Sequence, residues 1–218
     1  MWLYIHHVIN NFSPKENGVV EQVKNHITEK IHLFNNYLTD DLNIILRFDP
    51  KDVISGMRTA WYTNTSYMVS IVLDTDIKKW FDQDFFSELT SCITHEVHHI
   101  VRRSNPWYWE LFWDVIVSEW LACLAEVEQN PQHNILYIQA EDEEIKKLIT
   151  RANDQWENYD HRERYFGAWK LPNRAGYKLW YYLLSQYAKI KNLSSWDLVH
   201  TKWKNIIEDE DFKNLINL

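Results

Sequence analysis

Ser91-Cys92-Ile93-Thr94-His95-Glu96-Val97-His98-His99-Ile100-Val101-Arg102 is the stretch around which the rest of the chain is read. It contains H-E-x-x-H, and it lies within a helix predicted over about 84–103, opened by Asp82 as N-cap and ended by Asn105-Pro106. On a helix, His95 and His99 stand one turn apart on the same face, a spacing at which two imidazoles grip one tetrahedral ion. Glu96 lies about 100° round the helix from His95, placed to take a proton from a water activated by that ion without being a ligand itself. His98 points about 100° away from His99 and reads as a neighbouring or packed residue.

A catalytic zinc takes three protein ligands and keeps a fourth position open. Twenty residues after His99, Glu119 sits inside Val117-Ser118-Glu119-Trp120-Leu121, an acidic residue in the middle of an apolar helix predicted over about 107–129. A buried carboxylate without a cation is costly, so zinc ligation is expected of Glu119, the alternative being a salt bridge inside the core. Cys123, one turn on, is either a fourth, soft ligand that closes the site or a small core residue; Cys92, one turn before His95, reads as core.

Outward from this pair of helices, Val20, Val23, Ile27, Ile31 and Phe34 recur at spacings of three and four and predict an amphipathic helix over 15–38. Leu42–Phe48 reads as a strand, and β-rich runs at about 57–63 and 67–73 flank a turn at Asn64-Thr65-Ser66, so a small antiparallel sheet is expected before the H-E-x-x-H helix. Asn130-Pro131 stops the second helix. A third is expected over 141–154, where the acidic run Glu141–Glu144 suits the positive end of the helix dipole. Residues 155–172 read as an aromatic-rich loop with some helix, followed by helices over about 173–191 and 195–206. The expected fold class is α+β and mostly helical, one domain over 1–218, with a helix and sheet in 1–80 and the site in the helical part, 81–218.

The composition is that of an ordinary folded protein: 45% hydrophobic and 25% charged, which excludes disordered and collagen-like classes. Twelve Trp and twelve Tyr against four Gly suit helices and short loops packed with large rings. A net charge of −8, without a basic block, argues against a nucleic-acid partner. No apolar run approaches the ~20 residues needed to span a bilayer. The stretch Met1–Asn11 lacks a basic n-region and a cleavage site, and two cysteines are too few for a disulfide framework, so a reducing, cytoplasmic location is expected.

His95, Glu96 and His99 followed by Glu119 resemble the gluzincin pattern of thermolysin-like peptidases, whose third ligand is a glutamate on the following helix. The chain is more similar still to the predicted Zn-dependent protease family typified by bacterial YjaZ-like proteins. Over roughly residues 40–200 it has the same β-rich segment, an H-E-x-H-H helix continued by Ile100-Val101-Arg102, the glutamate helix and a late Gly-Tyr motif. The resemblance implies a zinc metallopeptidase that hydrolyses peptide bonds in a peptide or protein substrate. In such families a small residue follows the third ligand and an acidic one comes a turn later; here those places hold Trp120 and Cys123. The late motif, Gly176-Tyr177, implies a catalytic hydroxyl from Tyr177 that donates to the oxyanion; His161 and Arg174 are alternatives. A second functional class stays open, a catalytically inactive binding or regulatory module stabilised by zinc.

Overall fold

The computed structural model describes residues 2–7, 14–49, 51–53, 57–74, 82–108, 112–132, 138, 142–155 and 175–216. The chain divides into two compact units, Met1–Ser104 with Gln129–His133, and Asn105–Glu128 with Asn134–Leu218. It is mixed α and β, with one four-stranded sheet and a predominance of helix. The H-E-x-x-H helix clusters with the sheet, across the division at residue 80 expected from the sequence.

The first unit runs β1 (Leu3–His7), α1 (Pro14–His32), β2 (Leu42–Phe48), β3 (Thr59–Thr65), β4 (Met68–Leu73) and α2 (Gln83–Arg103). In β2 burial alternates strictly, with Leu42, Ile44, Leu46 and Phe48 inward, as a half-buried strand requires. Each such side chain, fully buried, contributes about 1.5–3 kcal/mol. Val20, Val23, Ile27 and Ile31 form the buried stripe of α1, and Phe34 extends it into the turns that follow His32. α1 packs on α2, and α2 packs on β3. The side chain of His26 on α1 reaches Thr90 Oγ1 on α2 at 2.9 Å.

The sheet corrects the antiparallel expectation. Its order is β1-β2-β4-β3; β1 pairs with β2 and β2 with β4 in parallel, and only the β3–β4 hairpin, turning at Ser66-Tyr67, is antiparallel. Parallel neighbours need a crossover, and α1 supplies it between β1 and β2. β1 escapes a sequence reading because His6 and His7 break its apolar run.

α2 begins where expected. Asp82 is extended (φ −121°, ψ −177°) and accepts the Phe85 N–H at 2.8 Å, a cap that also holds its carboxyl below the usual range, Arg58 assisting. At the other end Ser104 caps the helix, and Arg102 and Arg103 suit the negative end of its dipole.

The second unit contains α3 (Phe112–Gln129), α4 (Asp142–Gln155), α5 (Ala175–Lys191), α6 (Ser195–Leu198), α7 (Trp203–Ile207) and α8 (Glu210–Ile216). α3 starts later than the sequence predicts, because Pro106 and Trp107 form a turn. The expected helix over 195–206 is two short pieces, the first held by a Ser194/Asp197 capping box. The core is aromatic: Trp120 stacks on Trp180 (4.3 Å, 14°), Trp113 meets Trp180 edge-on at 6.0 Å, and Trp113 stacks on Trp203 at 6.1 Å. Among the described residues, no helix is long and apolar enough to cross a membrane.

Candidate metal centre

α2 is unusual in what it buries. Thr94, His95, Glu96, His98, His99 and Arg102 are all inside, along with Glu88 two turns earlier. A buried polar side chain is more informative than an exposed apolar one, because each costs free energy unless it is satisfied.

His95 and His99 are each 4% exposed and Glu96 3%. The two Nε2 atoms lie 2.9 Å apart, with ring centroids at 4.6 Å and planes at 78°. Two nitrogens bound at about 2.05 Å to a tetrahedral ion would stand about 3.3 Å apart. Opening the pair by a few tenths of an ångström therefore suits zinc, and side-chain torsions allow that much. Imidazole nitrogens are donors of a kind that suits zinc.

β3 braces this array. Trp61 meets the His95 ring edge-on at 6.1 Å. Two residues on, on the same face, the Thr63 hydroxyl donates to Glu96 Oε2 and lies 3.3 Å from the Glu96 carbonyl oxygen. Arg103, at the far end of α2, donates to the Thr63 carbonyl. At the near end Glu88 accepts three bonds, from the Arg58 N–H (2.8 Å), Arg58 Nε (3.3 Å) and the Thr59 hydroxyl (2.6 Å), while Arg58 Nη1 also reaches the cap Asp82 at 2.9 Å. β3 is thus strapped to α2 at both ends of the histidine array, with a register shift between Thr63 and Thr65. Such bulges re-aim side chains beside active sites.

The sequence-predicted residues therefore distribute as follows. His95, Glu96 and His99 come together on α2. Glu119 is half-buried on α3 in the second unit, on one face with the buried Cys123 and Glu126. Tyr177 falls in the first turn of α5, but its side chain lies outside the described residues, as do His161 and Arg174. One turn beyond Tyr177, burial and then the negative charge of Cys123, Glu128 and Glu126 push the Tyr181 phenol up to about 12, so it remains a donor throughout the neutral range. Sequence reasoning missed Thr63, Glu88 and Arg58. The alternation Thr59-Trp61-Thr63 puts those side chains on one face, but no local signal names their partners on α2.

Fold and site together define an α+β chain with a buried, braced H-E-x-x-H helix. A family model for a predicted Zn-dependent protease (DUF2268) matches residues 20–208, most of the chain, and the chain belongs to that family. Searches of curated proteins and of solved structures returned no match.

Proposed function

We propose that the chain is a zinc-dependent metallopeptidase of gluzincin type, in which His95, His99 and Glu119 hold the ion, Glu96 is the general base and Tyr177 donates to the oxyanion. The observation that carries this reading is the His95–His99 pair: two buried imidazoles with Nε2 atoms at 2.9 Å, next to a buried carboxylate. Burying so many polar side chains on one helix is costly, and a binding site gives a reason for it.

Zinc, when bound, supplies a Lewis acid for the scissile carbonyl and for water. Glu96 takes the proton of the attacking water and returns it to the leaving nitrogen. The half-buried carboxylate of Glu119 would bring a negative charge to the ion beside the two imidazoles. In this reading the chain works as one domain over 1–218, on an extended peptide. Its buried Cys92 and Cys123 suit a reducing compartment, and we place it in the cytoplasm.

Metal analysis of the purified protein tests the ligands: one zinc per chain is expected, lost in His95→Ala and in His99→Ala. Peptide hydrolysis tests the base: Glu96→Gln keeps zinc and loses turnover. Retention of zinc by both histidine variants would refute the ligand set. Stoichiometric zinc with no cleavage of any peptide by the parent would replace this reading with the inactive, zinc-stabilised module.

A further inference from the structure

We infer that Thr63 is a positioning residue for Glu96: its hydroxyl holds one carboxylate oxygen from the adjoining strand and so fixes the orientation in which the carboxylate meets the reacting water. The inference rests on the role proposed above for Glu96. A carboxylate two bonds beyond its Cβ rotates about three torsions, and a general base works only when its oxygen is held within hydrogen-bond reach of the proton it takes. Glu96 Oε2 accepts from the Thr63 hydroxyl, a bond that fixes the plane and direction of the carboxylate.

Thr63 is itself held. Its carbonyl accepts from Arg103 on the last turn of α2 and its Oγ1 is in reach of the Glu96 carbonyl, so strand and helix are joined on both sides of the base. The register shift after Thr63 breaks the ladder with β4 at this point, and the pairing resumes at Thr65↔Met68. A regular ladder would carry the strand past the site without a change of aim. The two residues are 33 apart in sequence and meet only through the packing of β3 on α2.

The test compares Thr63→Val, which keeps size and β-branching and removes the hydroxyl, with Thr63→Ser, which keeps the hydroxyl. In the parent and both variants, zinc content, kcat and KM on one cleavable peptide are measured. Alongside, a double-mutant cycle of Thr63→Val and Glu96→Ala, which removes the accepting oxygen, is read by urea unfolding of the metal-free chain. Thr63→Val is expected to keep zinc and KM and to lose about tenfold or more in kcat, with Thr63→Ser near the parent. The unfolding cycle is expected to couple the two residues by about tenfold in the equilibrium constant, the size of a hydrogen bond to a charged group. Parental kcat in Thr63→Val, or additive effects in the cycle, would overturn the inference. Should the parent bind no zinc or cleave nothing, the proposed function fails by itself. The metal-free cycle then still decides for or against Thr63 as the group that holds Glu96.

Discussion

Replacing Glu88 by glutamine leaves size and shape unchanged and removes the charge on which three donors converge. Oε1 accepts the Arg58 N–H and the Thr59 hydroxyl, and Oε2 accepts Arg58 Nε. An amide serves the first pair with its oxygen and turns its NH2 toward Arg58 Nε, donor against donor. The Arg58–Glu88 pair is little exposed, at 18% and 8%, so solvent screens it weakly. Losing one charge-assisted bond and opposing two donors there is expected to cost about 2–3 kcal/mol. With a urea dependence of about 2–3 kcal/mol per molar, the unfolding midpoint falls by about 1 M. Fluorescence and far-UV circular dichroism followed together check that a single transition is being read. Because Trp61 and Thr63 lie further along the same strand, zinc affinity is expected to weaken about tenfold with it. A midpoint shift below about 0.3 M would refute the strap. So would an undiminished cost of Glu88→Gln in an Arg58→Met background, since the carboxylate would then not be acting through that guanidinium.

Tyr177→Phe is expected to lower kcat by about ten- to a thousand-fold with little change in KM, as for one oxyanion donor, and unchanged turnover would remove Tyr177 from the reaction. Burial first, and then the charge of Lys30, hold the His26 imidazole below its ordinary 6.5, against the opposing pull of Glu29 and the Phe86 backbone. Folded His26 thus stays neutral where the unfolded one takes a proton. Its contribution to stability is complete above about pH 6.5 and is lost as the pH falls through the folded value. Urea midpoints measured between pH 7 and 5 are expected to fall less steeply for His26→Gln than for the parent. Trp180→Ala, which empties the stack on Trp120, is expected to cost about 3–5 kcal/mol and to lower the thermal midpoint by about 10 °C; a drop of a degree or two would mean that the second unit closes around the gap.

What the sequence determined by itself is what local geometry governs. Asp82 as cap and the end of α2 near Asn105-Pro106 follow from backbone rules that need no tertiary partner, and β2 is legible because alternation within one strand records its burial. The His95–His99 pair belongs to the same class: residues four apart on a helix meet on one face whatever surrounds it, which is why the pair was readable and the family resemblance reached the right family. Other features waited for the fold. β1 hides behind His6 and His7, and its parallel pairing depends on α1 returning the chain to the sheet. Glu88 reads in sequence as one more helical glutamate, and Thr63 as one more strand threonine. Each acquires its role from a partner about thirty residues away, across the β3–α2 interface. Helical spacing is written in the chain one turn at a time, whereas the choice of which strand packs against which helix is made by the whole core, and only there do the positions of such partners become defined.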